Sequence, residues 1–490
     1  TRSLLVTGVQ TCALPILSYV EDLSRLLEAR RPVTEEISDQ IWGFAESRFT
    51  EFRSSAAQAD YMKSLGFKVT MGIGGEETAF VAEYGEGKPV IALLGEYDAL
   101  SGLSQEADVA EHCPIVQGGD GHGCGHNLLG SASMAAVVAL KDYMEEKKLP
   151  GTIRYYGCPA EENAGGKAFL VREGCFNDCD IAITWHPGSM NSVTPTGSLA
   201  NFRVFFTFHG KSAHASGAPH LGRSALDAVE IMDVGVNYMR EHMIDEARIH
   251  YAITDTGGTA PNVVQAQAQV LYAIRAPKVT QVKELFERVC DIARGAALIT
   301  GTTVDIRQVA AYSDYIACDT VSQQLQKHME ELLPIGYTDE EMEYGRKFQE
   351  VITDLDRQNL KTLAKKLGGK DSAKLLEKPL WDFMVYPRPG DTGKGSTDVG
   401  DVSWVVPTGQ FNAVTWAAGT PGHAWQVVAQ GKGPVAHKGM MFAAKVMAAT
   451  AYDFLTDPEL VKKAHETWLE ELDGETYPGA LPPDAKPEIW

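Results

Sequence analysis

The chain has 490 residues, which is enough for two or three domains with sizeable cores. Its 65 acidic residues outnumber its 44 basic residues and give a formal net charge of −21, which argues against a nucleic-acid partner because phosphate binding needs a basic surface. No apolar run is long enough to cross a membrane, and the eight scattered cysteines do not indicate a disulfide framework. We therefore predict a cytoplasmic protein with reduced thiols that binds neither nucleic acid nor membrane.

The first seventeen residues differ in character from the rest of the chain. Residues 6–16, VTGVQTCALPI, resemble the translation of a common short-read sequencing adapter. A signal peptide is a poorer interpretation, because Pro15 interrupts the apolar run and no small-residue cleavage site follows it. We expect residues 1–17 to be an assembly scar and the fold to begin at about residue 18.

Strands alternate with helices in the first part of the chain, after an N-terminal helix. Residues 90–94, 152–156 and 180–185 are short apolar runs, which are typical of buried strands. Residues 128–143 have helical apolar spacing. This alternation predicts an α/β domain with a mostly parallel sheet and helices on both faces.

A different order of elements follows from about residue 198 to residue 313. The pattern there is β-α-β-β-α-β, which is the ferredoxin-like arrangement. We predict that residues 198–313 form a separate domain inserted into the first, which would then comprise residues 18–197 and 314–490. Within the second of these parts, residues at about 321–385 are charged and helical and are predicted to be an insertion.

Polar side chains follow each of the three predicted apolar strands. Glu96 and Asp98 follow the first strand, Glu161 and Glu162 follow the second, and His186 ends the third. In open α/β sheets, ligands bind beyond the carboxyl ends of the strands. These side chains are therefore expected to surround one cleft.

A glycine-rich segment between the first two strands adds two further metal-binding groups, Cys124 and His126. A thiolate and an imidazole two residues apart can reach one ion, and with carboxylates they suit zinc or another first-row divalent ion. Taken singly, the features have ordinary explanations, since adjacent glutamates are usually solvated and a histidine at a strand end is usually structural. Their coincidence at one edge of the predicted sheet favours a metal site.

Eight motifs lie between residues 95 and 425, within a resemblance that extends from about residue 20 to residue 455: GEYDAL, HGCGHN, PAEENAGG, TWHPG, GKSAHA, GGTAPNVV, GSTDVGDVS and GTPGHAW. In combination they resemble the metallopeptidase family that contains aminoacylases, hippurate hydrolases and auxin-conjugate amidohydrolases. The resemblance implies a zinc-peptidase-like catalytic domain and identifies the ferredoxin-like insertion as a lid and dimerisation domain.

The resemblance also implies roles for individual residues. The implied metal ligands are Cys124 as a bridging thiolate, His126, Glu162, His186 and His423. The implied catalytic residues are Glu161 as the general base, Asp98 as the acid after the first strand, and His214 as a lid histidine that reaches the reacting carbonyl. Asn262 and Arg275 match lid positions near the substrate carboxylate, and Glu96 stands where other branches have a metal histidine.

The implied activity is hydrolysis of the amide of an N-acyl amino acid, with two divalent ions that lower the pKa of a shared water. The thiolate favours Zn²⁺, whereas the resemblance favours Mn²⁺. The leading substrate is p-aminobenzoyl-glutamate, and the alternatives are another N-acyl amino acid, an indole-acetyl-amino acid conjugate or a dipeptide. We expect a homodimer or a heteromer with a related subunit.

An alternative of another class is a non-catalytic partner subunit of a hydrolase complex. The presence of Glu161 together with a full ligand set argues against this alternative, since a scaffold needs neither.

Overall fold

Two separate β-sheets organise the chain, which a computed structural model describes over residues 18–194, 197–386 and 395–489. The adapter-like residues 1–17 lie outside the described residues, so their prediction stays untested. The strands are β1 (Lys68–Met71), β2 (Phe80–Glu86), β3 (Val90–Glu96), β4 (Gly151–Cys158), β5 (Ile181–Gly188), β6 (Ser192–Val193), β7 (Ala200–His209), β8 (Arg248–Asp255), β9 (Gln267–Ala276), β10 (Thr303–Tyr312) and β11 (Thr408–Val414).

Helices cover the larger sheet and one face of the smaller sheet. They are α1 (Ser18–Phe44), α2 (Phe52–Ser64), α3 (His126–Lys147), α4 (Glu161–Ala164), α5 (Gly166–Arg172), α6 (Ala225–Met239), α7 (Val279–Thr300), α8 (Asp319–Leu332), α9 (Asp339–Glu350), α10 (Asp354–Gly368), α11 (Ser372–Leu376), α12 (Val399–Ser403), α13 (Trp425–Gln430), α14 (Pro434–Thr456) and α15 (Pro458–Leu472).

The larger sheet has the strand order β1-β2-β4-β3-β5-β11-β6. Its four central strands, β4, β3, β5 and β11, are parallel, and the strands outside them pair antiparallel. Side chains of β3 alternate between two cores: Ile91 and Leu93 pack with α1, α3 and α14, whereas Ala92 and Leu94 pack with α5 and α12. A strand covered on both faces must be apolar throughout, which explains the continuous apolar run and confirms the predicted α/β fold.

The smaller sheet is antiparallel and has the strand order β10-β7-β9-β8. Its chain order, β7-α6-β8-β9-α7-β10, confirms the ferredoxin-like prediction. Phe202, Val204 and Phe206 point from β7 into a core formed with α6 and α7. The intervening residues of β7 therefore face away from the helices, and this second face is the one that meets the catalytic domain.

The predicted helical insertion begins with a helix that belongs to the main core. Val321, Leu325 and Met329 of α8 are buried in the same cluster as α14 and β11. Helices α9, α10 and α11 follow outside that cluster. The domain boundaries themselves stay a prediction.

Two observations bear on the expected cellular setting. The seven cysteines in the described part of the chain are all free. None of the described helices combines the length and apolarity that a membrane crossing requires.

Candidate functional site

The five predicted metal ligands come together at one edge of the larger sheet. The parallel strands β4 and β5 lie on either side of β3 and end at the same edge of the sheet, with Glu162 following the first and His186 near the end of the second. Cys124 and His126 lie at the start of α3, and His423 lies in the segment between β11 and α13. Parallel strands place their carboxyl ends at one edge, so residues far apart in sequence become neighbours.

Three groups of three side chains have the spacing of metal ligands: Glu96, His126 and Glu161 form one, and the other two both contain Cys124. In one group the thiol meets His126 and His186; in the other it meets Glu162 and His423, with all ligand atoms of a group within 4.8 Å of one another. The Cys124 Sγ lies 3.3 Å from His186 Nε2. A thiolate common to both groups suits two divalent ions, since sulfur, imidazole nitrogen and carboxylate oxygen are ligands of first-row metals.

Hydrogen bonds to the far side of each imidazole orient the ligand nitrogens. His126 Nδ1–H donates to Asp98 Oδ1 at 2.8 Å, and His186 Nδ1–H donates to the carbonyl of Pro187 at 2.7 Å. Each bond leaves Nε2 facing the site, which is the usual arrangement of histidines that bind metal.

Two buried atoms at the centre of the site make no hydrogen bond with the described residues. They are His126 Nε2 and Glu162 Oε1. Their nearest charged neighbours, Glu96 Oε2 at 3.2 Å from His126 Nε2 and His423 Nε2 at 3.4 Å from Glu162 Oε1, are themselves candidate ligands. A buried polar atom without a hydrogen bond is costly, and a cation would satisfy both atoms. The donor set and these orphaned atoms together fit divalent metal ions.

Asp98 lies behind the ligands and is buried. While its Oδ1 accepts from His126, its Oδ2 accepts the backbone N–H of Glu162 at 2.9 Å. One carboxylate therefore ties two predicted ligands together. This geometry gives Asp98 a positioning role, and its predicted part in the chemistry stays a prediction.

Sequence reasoning missed a buried ion-pair cluster beside the ligands, formed by Glu96, Lys167 and Asp398. The Lys167 ammonium is fully buried and donates to Glu96 Oε1 at 2.5 Å and to Asp398 Oδ1 at 2.6 Å. The other oxygen of Glu96 lies 3.2 Å from His126 Nε2. Burial opposes ionisation of Glu96, but Lys167 and His126 outweigh it and lower the pKa of that carboxyl.

The predicted general base, Glu161, is in a strongly acidic neighbourhood. Burial, followed by the charges of Glu96 and Glu162, raises the pKa of Glu161 well above its usual range. Burial and the nearby His126 lower the pKa of His186 to about 4, so its imidazole is neutral, as a metal ligand must be. Cations at the adjacent ligands would lower the pKa of Glu161 again, because opposite charge favours the ionised form.

A pocket of about 660 Å³ opens between the two domains at this point. Its catalytic wall includes Cys124, Glu161, Glu162, His186 and His423, and its lid wall includes Asn201, Arg203, Arg275 and Tyr312. The volume is typical of a small-molecule site. Arg275 therefore lies where the sequence predicts a substrate contact, although that contact stays a prediction.

The other two predicted lid residues do not line the pocket of their own chain. The carbonyl of Asn262 accepts from the backbone of Ala215 at 3.0 Å, next to His214. The ring of His214 accepts the Gly217 N–H at 3.0 Å. Both residues thus lie in neighbouring lid loops, away from the metal ligands of their own chain.

Two further lid residues contact the catalytic domain and were not predicted from the sequence. Arg203 donates to the carbonyl of Glu162 at 3.0 Å, and Tyr312 donates to the carbonyl of Glu161 at 2.9 Å. No local pattern around either residue distinguishes it from ordinary strand polarity.

Known proteins share both the sequence and the fold. Residues 198–299 match the family model of the peptidase dimerisation domain. The chain is 44% identical over 477 residues to a subunit of the p-aminobenzoyl-glutamate hydrolase of Escherichia coli (strain K12), and the match covers 96% of this chain and 98% of that protein.

Two solved structures share the fold at lower identity. The aminobenzoyl-glutamate utilization protein of Klebsiella pneumoniae superposes with a TM-score of 0.58 at 17% identity and covers 88% of this chain and 98% of its own. A dinuclear metal-binding peptidase of the M20 family from Bacillus subtilis has a TM-score of 0.51 at 16% identity, and the match covers 89% of this chain and 99% of that chain. The chain belongs to the M20 family of metallopeptidases and amidohydrolases, together with the 44% identical p-aminobenzoyl-glutamate hydrolase chain of Escherichia coli.

Proposed function

We propose that this amidohydrolase cleaves an N-acyl amino acid, with p-aminobenzoyl-glutamate as the leading substrate. The observation that carries the proposal is the sharing of Cys124 between two ligand groups that face Glu161 in one pocket. The identity of 44% to a hydrolase named for that substrate favours it over the alternatives. These alternatives are another N-acyl amino acid, an indole-acetyl-amino acid conjugate and a dipeptide.

Two divalent ions, Mn²⁺ or Zn²⁺, fit the site, with Cys124, His126 and His186 holding one and Cys124, Glu162 and His423 holding the other. When bound, such ions lower the pKa of water and stabilise negative charge on a carbonyl oxygen. The thiolate favours zinc, whereas the resemblance to the family favours manganese.

The protein's own residues supply proton transfer and orientation. The Glu161 carboxylate removes a proton from the attacking water and then delivers it to the leaving amine nitrogen. Asp98 fixes His126 and the Glu162 backbone in their places during this step.

Arg275 supports a substrate that carries a free carboxylate. Its guanidinium lines the pocket and donates no hydrogen bond to the described residues. Burial, together with the nearby Arg203, lowers the pKa of Arg275, so an anionic ligand would relieve an unfavourable arrangement. The carboxylate of an acyl amino acid supplies that charge.

We further propose that the active unit contains two lid domains. Strand β8 lies at the edge of the lid sheet, where Tyr251 and Ile253 are 39% and 41% exposed, and an unpaired edge is available to a second strand. A second copy would bring its own His214 and Asn262 to this pocket. A related subunit is the alternative partner, because the 44% identical relative is named as one subunit of a hydrolase.

The decisive experiment is hydrolysis of a panel of N-acyl amino acids by metal-depleted protein with added Mn²⁺ or Zn²⁺. We expect release of free amino acid that depends on metal, is abolished by chelation and is greatest for p-aminobenzoyl-glutamate. Glu161→Gln, loaded with the same metal, is the matched control and should be nearly inactive. Turnover by metal-free protein would refute the mechanism. Inactivity of the metal-loaded protein on every substrate would favour the non-catalytic partner subunit. The cytoplasmic location stays a prediction.

A further inference from the structure

The short helix α4, which carries Glu161 and Glu162, has little local support. It has only four residues, follows Ala160 in the left-handed region at φ 57°, and has no side-chain cap at its start. The backbone N–H groups of Ala164 and Gly165 both donate to the carbonyl of Ala160. Helix ends leave their last carbonyls without intrahelical partners, so the carbonyls of residues 161–163 need donors from elsewhere.

The lid domain supplies those donors. Arg203 donates from Nη2 to the carbonyl of Glu162 at 3.0 Å, and from Nη1 to the carbonyl and the Oδ1 of Asn163 at 3.2 Å and 2.9 Å. Tyr312, which is buried, donates its hydroxyl to the carbonyl of Glu161 at 2.9 Å. The helix that bears the predicted base and a predicted metal ligand is therefore held by side chains of another domain.

Arg203 has a clear path to this helix across the face of the lid sheet. It lies on β7, an inner strand, opposite Ala310 on one side and Ala273 on the other. Side chains on opposed residues of an antiparallel pair share one face. Two alanines beside Arg203 leave that face open for the long guanidinium side chain.

A β-bulge brings Tyr312 to the same face. The register between β10 and β7 shifts between Gln308 and Ala310, which leaves Val309 as the extra residue, and Tyr312 consequently lies opposite Asn201. If the pairing of Gln308 with Val204 continued without the bulge, Tyr312 would stand opposite Ala200, whose side chain belongs to the lid core. Bulges re-aim side chains in this way.

The approach of the two domains here is close. A Cβ atom at Gly165 would lie 3.0 Å from the carbonyl oxygen of Ala311 on β10, and Gly165 itself has φ 69°. Glycine at this position therefore lets the helix and the lid strand meet without a side chain between them.

We propose that Arg203 and Tyr312 are positioning residues of the amide hydrolysis, which hold Glu161 and Glu162 in place through their backbone carbonyls. The proposal rests on the proposed function for its catalytic part. The two residues donate to neighbouring carbonyls, so replacing them should have different effects. Arg203 orients the proposed metal ligand Glu162, whereas Tyr312 orients the proposed base Glu161.

The test compares Arg203→Lys and Tyr312→Phe with two control variants of the same lid. Lysine keeps the charge of Arg203 but loses the planar fork that reaches several acceptors. Arg307→Lys changes another arginine of the lid sheet, which pairs with Glu488. Tyr272→Phe removes another buried tyrosine hydroxyl, which donates to Asp233 within the lid. Dissociation constants for Mn²⁺, kcat and KM are measured for each, with circular dichroism to verify folding.

We expect Arg203→Lys to weaken Mn²⁺ binding by about 10–100-fold, as loss of a support of a metal ligand does, and to lower kcat by about 10²-fold. Tyr312→Phe should lower kcat while the Mn²⁺ dissociation constant stays near that of the wild type. KM should stay unchanged in both, because no contact with bound substrate is lost, and both controls should match the wild type.

A raised KM with unchanged kcat and metal affinity in Arg203→Lys would overturn the proposal, since Arg203 would then bind substrate directly. Equal behaviour of these variants and the controls would overturn it as well. Metal binding is measured without turnover, so the Arg203 part of the proposal is decided even if the wild type hydrolyses none of the substrates. If Arg203→Lys fails to fold, Tyr312→Phe with unchanged kcat is sufficient to refute it.

Discussion

Replacing Lys167 with methionine should destabilise the catalytic domain more than the loss of a solvent-exposed ion pair would. The ammonium is 0% exposed and lies 2.5 Å from Glu96 Oε1 and 2.6 Å from Asp398 Oδ1. Methionine has a similar shape but no charge, so both carboxylates would remain buried without the cation that compensates them. Removing one partner of a buried ion pair costs about 3–5 kcal/mol, because the remaining charge stays desolvated.

The assay is urea unfolding followed by tryptophan fluorescence, for which the buried Trp185 of the larger sheet is a probe. Lys141→Met is the matched control, because the Lys141 side chain is 11% exposed and pairs with the exposed Glu145 at 2.9 Å. Because Glu145 is 49% exposed, its carboxylate stays solvated when Lys141 is replaced, so the control should lose far less stability. A Lys167→Met variant that also carries Glu96→Gln and Asp398→Asn should recover most of the loss.

Two results would refute this reasoning. If Lys167→Met is no less stable than Lys141→Met, the cluster is not an essential part of the fold. If Lys167→Met is unstable but neutralising Glu96 and Asp398 restores nothing, the loss of stability does not arise from carboxylate charges left without a cation.

Three other predictions concern chemistry, assembly and pH. Glu161→Gln should reduce turnover by about 10²–10⁴-fold while bound metal, measured by elemental analysis, stays at the wild-type level; loss of metal would show that Glu161 and Glu162 exchange roles. His214→Ala should be nearly inactive. If each site uses His214 of the other subunit, mixing His214→Ala with Glu161→Gln and allowing the subunits to exchange should restore activity, because one site of the mixed dimer then has both residues intact. Verified subunit exchange without any activity would contradict a shared site. Burial raises the pKa of Glu51 to about 8, so its contribution to stability is present below about pH 4.5 and is lost as pH rises through 8. The melting temperature of Glu51→Gln should therefore rise relative to that of the wild type as the pH increases from about 4.5 to 8. A difference in melting temperature that does not change with pH would exclude this linkage.

The sequence was sufficient to predict the sheet and the grouping of the predicted metal ligands. Both predictions depend on local patterns combined with one rule of topology. A run such as residues 90–94 is apolar at every position because both faces of β3 are covered. Once the strands are parallel, the polar residues that follow them must meet at one edge, and the structure brings Glu162 and His186 each into a group of possible ligands with Cys124 there.

The supporting contacts could not be predicted in the same way, because they join residues far apart in the chain. Lys167 and Asp398 are 231 residues apart, and Tyr312 and Glu161 are 151 residues apart. The contact of Tyr312 also depends on a bulge, and one extra residue in a strand moves every later side chain to the opposite face. No property of the single residue Val309 in the sequence reveals that the bulge is there.

The geometry of β7 separates two tasks within the lid. Arg203 lies near the start of this strand, at the junction with the catalytic domain, whereas His214 lies beyond its end at His209. Each strand residue advances the chain by about 3.4 Å, so Arg203 and His209 are about 20 Å apart along the strand. The bonds from Arg203 to Glu162 and Asn163 join the near end of the lid to the segment that carries the predicted metal ligand Glu162. His214 does not line the pocket of its own chain, which favours a second copy of the chain as the proposed source of that histidine.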